Sequence, residues 1–316
     1  MIRKKVKIAI VGAGAVGTST AFDLSIQGLC DEIVLVDVNH KKAVAEALDM
    51  QHSVAYQTRT VAIRAGAYED CGDADIIVVT AAMPYKPGQR RLDMLEGSRQ
   101  ITESIIPPIM ESGFRGLFII VTNPVDIISY YVYRLSGLPA SQIIGTGTAL
   151  DSARLRGLIA SAMSVDAKSV QAYTLGEHGD SQFVPWSNVS VGGKQFYDII
   201  ADNPERFGSL DLDHFVHEVI DLGFQIGTVK GTTNFAIAAT VVEIIKVILN
   251  DENRVIPVST LLSGEYGESD VFAGVPAVLG HQGVKEIVRA RLTEEEMRLF
   301  KRSVDVIRQY NQTLAL

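Results

Sequence analysis

An α/β fold, with a doubly wound parallel sheet in the first half and a mixed α+β arrangement in the second, follows from the order of hydrophobic patterns in these 316 residues. Short β-branched runs alternate with helical patterns up to about residue 145. The runs are apolar at nearly every position, as strands covered on both faces must be. After that point the rhythm changes: two long helical patterns follow one another, and later strands come in succession.

The strands of the first half are expected at 6–11, 32–36, 76–80, 117–122 and 142–145, with helices at 16–27, 41–52, 92–112 and 125–135 between them. In the second half a helix is expected after Leu150, then strand-like runs at 169–174 and 186–191. Helices at 212–228 and 232–249 and strands at 254–262 and 271–279 follow. Thr293 and Glu296 have capping-box spacing, and Met297, Phe300, Val304 and Ile307 behind them form one apolar stripe. The division expected is residues 1–145 and 146–316.

Composition excludes several classes. A net charge of −8 argues against nucleic-acid or anionic-membrane partners, which need a basic face. The apolar stretches at 117–133 and 235–249 are interrupted by Asn123-Pro124, Asp126, Glu243 and Lys246, so neither reads as a membrane span. No signal peptide is read at the N-terminus. Cys30 and Cys71 show neither metal-ligand spacing nor a disulfide framework, which suits reduced thiols in the cytoplasm and no metal site.

The segment Gly12-Ala13-Gly14-Ala15-Val16-Gly17 fits G-x-G-x-x-G between a strand and a helix. The glycines allow a tight turn, a close approach of backbone to a pyrophosphate, and close helix–strand packing. Asp37 ends the next strand at the expected offset, where it accepts ribose hydroxyls and repels a 2′-phosphate. The first half therefore reads as a Rossmann-type domain binding NAD rather than NADP, and the second as a substrate domain.

Chemistry enters with Leu175-Gly176-Glu177-His178-Gly179-Asp180 and Asp151-Ser152-Ala153-Arg154. A histidine that carries a proton, an acid to orient it and an arginine to hold a carboxylate are what hydride transfer to a 2-oxo acid needs. Taken singly, Asp151 and Arg154 also suit a surface i,i+3 ion pair, and His178 a glycine-flanked loop. Spacing alone does not bring Asp151 to His178.

Taken together, these motifs resemble the NAD-dependent L-lactate dehydrogenases, within the wider L-lactate/L-malate and L-2-hydroxy-acid dehydrogenase family. The resemblance spans the chain. It rests on 12–17, Asp37, Lys86-Pro87-Gly88 with Arg91-Leu92-Asp93, Thr122-Asn123-Pro124-Val125-Asp126, Gly145-Thr146-Gly147-Thr148 running into Asp151–Arg154, and 176–180. It implies reversible NADH-dependent reduction of pyruvate to L-lactate in fermentative glycolysis. His178 is then the acid/base and Asp151 its orienting partner, with Arg154 on the substrate carboxylate and Asn123 on the reacting oxygen. Arg91 is implied to arrive on a closing loop, 84–91. Cofactor contacts are implied for Val16, Asp37, Lys42, Tyr68, Ala82, Met83, Ser104, Asn123 and Thr146, a substrate contact for Thr233, and a homotetramer, or failing that a dimer, as the assembly. Lys42 and Tyr68 also read as a solvated helix charge and a packing aromatic. A sensor or lens-type protein that kept the fold and lost the chemistry would have no use for His178, Asp151, Arg154, Asn123 and Arg91 together.

Two departures from the family pattern stand out. Tyr85 occupies the loop position that reads the substrate side chain, where lactate enzymes generally carry glutamine and malate enzymes arginine. A dicarboxylate would bring an unpaired charge there, although slippage by one residue would present Arg90. With Gly223, where alanine is common, Tyr85 suggests room for 2-oxo acids bulkier than pyruvate, as in an L-2-hydroxyisocaproate-type dehydrogenase. In the other reading Tyr85 points outward and Gly223 only eases helix packing. Arg156 matches an arginine that binds fructose 1,6-bisphosphate in many bacterial relatives, but Gln171 replaces the accompanying histidine, so activation is expected to be weak or absent.

Overall fold

The computed structural model of the chain describes residues 5–83 and 91–313, with side chains in the second stretch from Leu95 onward. The first half runs β1 Lys7–Val11, α1 Ala15–Gln27, β2 Glu32–Val36, α2 His40–Ser53, β3 Ala62–Ala65, β4 Ile76–Val79, α3 Arg91–Glu111, β5 Leu117–Ile120, α4 Val125–Ser136 and β6 Ile143–Gly145. It continues with α5 Ala149–Met163, the two-residue strands β7 Val170–Gln171, β8 Ser190–Val191 and β9 Lys194–Gln195, then α6 Phe196–Asp202 and α7 Pro204–Phe207. The last elements are α8 Leu212–Lys230, α9 Phe235–Leu249, β10 Arg254–Ser263, β11 Ser269–Gly280, β12 Gly283–Ile287 and α10 Glu294–Thr313.

Among the described residues nine strands form one sheet in the order β12-β11-β10-β6-β5-β4-β1-β2-β3. The six from β3 to β6 are parallel and doubly wound, as the unbroken apolar runs require. Ile8 and Ile10 of β1 pack on one face with α1, α2 and α9, while Ala9 and Val11 pack on the other with α3 and α4. Each such isoleucine or valine contributes about 1.5–3 kcal/mol of burial. Packing on both faces, rather than local propensity, therefore holds the sheet. The antiparallel strands β10–β12 join beside β6, where Ser259 pairs with Gly145. A Cβ on Gly145 would lie 2.8 Å from that of Ser259, so the close approach needs glycine.

The expected capping box is present: Thr293 N–H donates to Glu296 at 2.8 Å, and Glu296 N–H to the Thr293 hydroxyl at 3.2 Å. The runs at 169–174 and 186–191 are a correction, since only two residues of each form a ladder. Extended chain near Thr174 is held by side chains at the start of α5 instead, with Ser152 Oγ accepting its N–H and Thr148, just before the helix, donating to its carbonyl. Pro185 opens a 3₁₀ turn at Trp186–Asn188, which stacks Trp186 on Phe196 at 5.4 Å. Strands β3 and β12 escape the hydrophobic pattern because both are edge strands carrying exposed polar residues.

Candidate active site

The residues that follow the C-terminal ends of β1, β4, β5 and β6 converge on one crevice, where strand order reverses and ligands of open α/β sheets bind. Gly12 has φ of 110°, and a Cβ there would lie 2.7 Å from Ala81 N. A Cβ on Gly17 would lie 1.9 Å from the Gly12 carbonyl oxygen, so helix α1 closes onto the turn only with glycine. Gly14 differs: its Cβ would meet nothing within 4 Å. It opens α1 with no side-chain cap, leaving the first N–H groups directed at a bare cradle.

Asp37 braces this turn. One oxygen accepts the Ala13 N–H at 2.7 Å and the other the Asn39 N–H at 2.8 Å, with lone pairs left over for hydroxyl donors. A helix start with uncapped N–H groups suited to a pyrophosphate, beside an acid suited to ribose hydroxyls, fits a dinucleotide.

A cleft of about 440 Å³ continues from Val16 past Ala82, Met83, Asn123 and Thr146 to Asp151, Arg154 and His178, and is closed by Gly223 and Thr233. His178 Nδ1 lies 2.6 Å from Asp151 Oδ2, and Arg154 donates to the other Asp151 oxygen at 3.0 Å. Asp151 is 2% exposed and the imidazole 28%, so the acid is sealed while the ring reaches the cleft. Burial favours the neutral ring, but the Asp151 charge and hydrogen bond, aided by Asp126, outweigh it and hold the imidazolium up to about 9. Burial likewise opposes the Asp151 carboxylate, yet His178 and Arg154 keep it below its ordinary value.

The backbone of the turn is pinned from three elements. Gly176 exchanges two hydrogen bonds with Gly274 of β11. Glu177 N–H donates to Ser303 of α10 at 2.7 Å, and His178 N–H to Asp126 of α4 at 2.8 Å. Ser259 of β10 donates to the second Asp126 oxygen. Burial pushes the Asp126 carboxyl up to about 6 against these stabilising bonds.

Three expected cofactor residues, like Asp37 itself, do not line this cleft. Lys42 is exposed on the first turn of α2, and Tyr68 is half-buried against the α3 face of the sheet. Ser104 is exposed on α3 and donates back to Ile101 at 2.7 Å; that helix sends Ser98 into the cleft instead, bonded to the Asn123 carbonyl at 2.7 Å. Arg91 is the first residue of α3, with its side chain outside the described residues, as is all of Tyr85. Arg156 and Gln171 line a separate cavity of about 780 Å³ with Lys168 and Arg254.

Sequence reasoning quoted Asp126 within the 122–126 motif without giving it a role, and missed the supports Ser259 and Ser303 and, in the cleft wall, Gln182. Asp126 carried a signal, being a carboxylate inside an apolar stretch. The serines carried none.

The chain matches two family models: "lactate/malate dehydrogenase, NAD binding domain" over residues 6–145 and "lactate/malate dehydrogenase, alpha/beta C-terminal domain" over 148–314. It is 48% identical to L-lactate dehydrogenase 3 of Bacillus thuringiensis subsp. konkukian over 314 residues, 99% of each chain. Among solved structures, the minor L-lactate dehydrogenase of Enterococcus mundtii in its ligands-bound form superposes with a TM-score of 0.95 at 41% identity, covering 98% of this chain and 99% of that one. MGS-M5, a lactate dehydrogenase from a Medee basin deep-sea metagenome library, gives 0.93 at 38% identity over 99% and 100%.

Proposed function

The chain belongs to the lactate/malate dehydrogenase family, and from that premise we propose that it acts as an NAD-dependent L-lactate dehydrogenase reducing pyruvate to L-lactate. The observation that carries this reading is the Arg154–Asp151–His178 constellation in the cleft below Asn123. Bound NADH supplies the hydride. Arg154 holds the substrate carboxylate through its planar fork. His178, fixed at Nδ1 by Asp151, presents Nε2 to the ketone oxygen and gives it a proton as charge develops there. Asp151 stabilises the imidazolium before transfer, and Asn123 hydrogen-bonds the same oxygen. Arg91 adds a positive charge where the carbonyl is polarised.

A broader preference for branched or aromatic 2-oxo acids is the less favoured reading. The relatives reported above are named lactate dehydrogenases, and Gly223 gives up only one methyl, whose carbon would sit 3.5 Å from the Arg154 guanidinium. The deciding experiment is NADH oxidation with pyruvate, 2-oxobutyrate, 2-oxoisocaproate, phenylpyruvate and oxaloacetate, with NADPH as control. A pyruvate optimum is expected. An optimum at oxaloacetate or the bulky acids overturns the assignment, and no turnover with any of them overturns the enzyme.

The proposal extends to a cytoplasmic homotetramer, and exposed apolar side chains such as Tyr56, Phe224, Val229 and Phe235 support association of subunits. Light scattering should give four times 34.3 kDa. Fructose 1,6-bisphosphate should shift the pyruvate saturation curve little, because Gln171 brings no charge to the Arg156 cavity.

A further inference from the structure

The carboxylate beneath the His178 turn has no role in the scheme above, and its surroundings are specific. Asp126 is 1% exposed, among apolar residues of α4, where a neutral backbone carbonyl would accept an N–H at far lower desolvation cost. One oxygen takes the His178 N–H at 2.8 Å and the other the Ser259 hydroxyl. Among the described side chains, the charged and titratable groups around the ring are Asp151 and Arg154 on α5, Asp126 on α4, and Glu177 and Asp180 on its own turn. Glu177 is engaged by Ser181 at 2.5 Å.

We propose that Asp126, held by Ser259, is a positioning residue for proton transfer: it fixes the His178 backbone and supplies a second negative charge that sustains the imidazolium. Asp151 acts on the ring directly, whereas Asp126 acts from below through the main chain. Its charge favours the protonated ring, and its own burial keeps it close to neutralisation. The two carboxylates then share the task unequally. Asp151 stays ionised throughout, while Asp126 contributes its charge only above about pH 6.

This rests on His178 being the proton donor, so the tests separate the two ideas. Asp126→Asn retains an acceptor for the His178 N–H and removes the charge. The alkaline limb of kcat/KM for pyruvate should move down by about one pH unit, so the loss at pH 9 is about fivefold greater than at pH 7. A folded variant with an unmoved limb reduces Asp126 to a strut and overturns the proposal.

Should that variant fail to fold, the unaltered chain still gives an answer. With ¹⁵N-histidine labelling, the His178 amide should titrate with a midpoint near 6, well below the ring's own step. Ser259→Ala should raise that midpoint, since it removes a donor to the charged carboxylate. An amide that ignores pH in this range, or a midpoint that Ser259→Ala leaves in place, overturns the proposal. These resonances report the linkage whether or not pyruvate is turned over, so failure of the functional reading stays distinguishable.

Discussion

The glycine turn after β1 and the His178 turn border the same cleft, and they are shaped by opposite means. The glycine turn is defined by what is missing: Gly12 and Gly17 lack side chains so that backbones can touch, and Gly14 lacks one so that a space stays open. The His178 turn is defined by what is added, since Asp126, Asp151 and Ser303 reach it from three separate elements and Ser259 from a fourth holds Asp126. A binding cradle for an anion is built from bare N–H groups, whereas a proton donor needs flanking charge to set its pKa. Damage to the two turns should therefore read out differently.

The largest effect is expected at the proton donor. His178→Gln should lower kcat/KM for pyruvate by about 10²–10⁴-fold, the usual worth of a positioned acid. Affinity for NADH, measured by fluorescence titration, should hold. In the unaltered free enzyme the imidazolium persists to about pH 9, so pyruvate reduction should decline above that value. Lactate oxidation, which needs the neutral ring, should rise through the same range.

Arg91→Ala comes next, with about 3 kcal/mol of transition-state stabilisation lost by analogy with oxyanion donors. Near-normal turnover in stopped-flow assays would remove Arg91 from the site.

The glycine turn gives the sharper contrast. Gly17→Ala forces a carbon against a backbone oxygen and should destabilise the fold by about 1–3 kcal/mol, visible in thermal melts. Gly14→Ala puts its carbon in free space, so Tm should hold while NADH binds at least about tenfold more weakly, or 1.4 kcal/mol. If both variants behave alike, the distinction between packing and cradle glycines is wrong.

The smallest effect is expected at Gly223. Alanine fits beside Arg154 and favours the helix by up to about 1 kcal/mol, so Tm should rise slightly. Preference for pyruvate over 2-oxoisocaproate should change by less than about tenfold. A larger swing would make this position a specificity determinant.

The same contrast explains what was legible in the sequence. The glycine turn is contiguous, and its strand, turn, helix and acid occur in an order that local periodicity reveals. The parallel strands were legible because both faces are buried, whereas β3 and β12 were hidden by the polar residues of sheet edges. Asp151 and Arg154 are one helical turn apart, but nothing in their spacing places them 27 and 24 residues from a histidine they serve. Ser259 and Ser303 matter only because β10 lies against Gly145 and α10 against Gly176. Such supports exist only once the chain is folded, and a single serine carries no periodic mark.

The sheet that runs without a break from β3 to β12 has a further consequence for how this chain is made. Because β10 docks on β6, and α9 fills one face of the first-half sheet, neither half owns a complete interior. A ribosome that has released only the first half has exported a sheet with an open edge and an uncovered side. Folding should then complete in one cooperative event near the end of synthesis, and a gene split after residue 145 should yield two insoluble fragments rather than two separable modules.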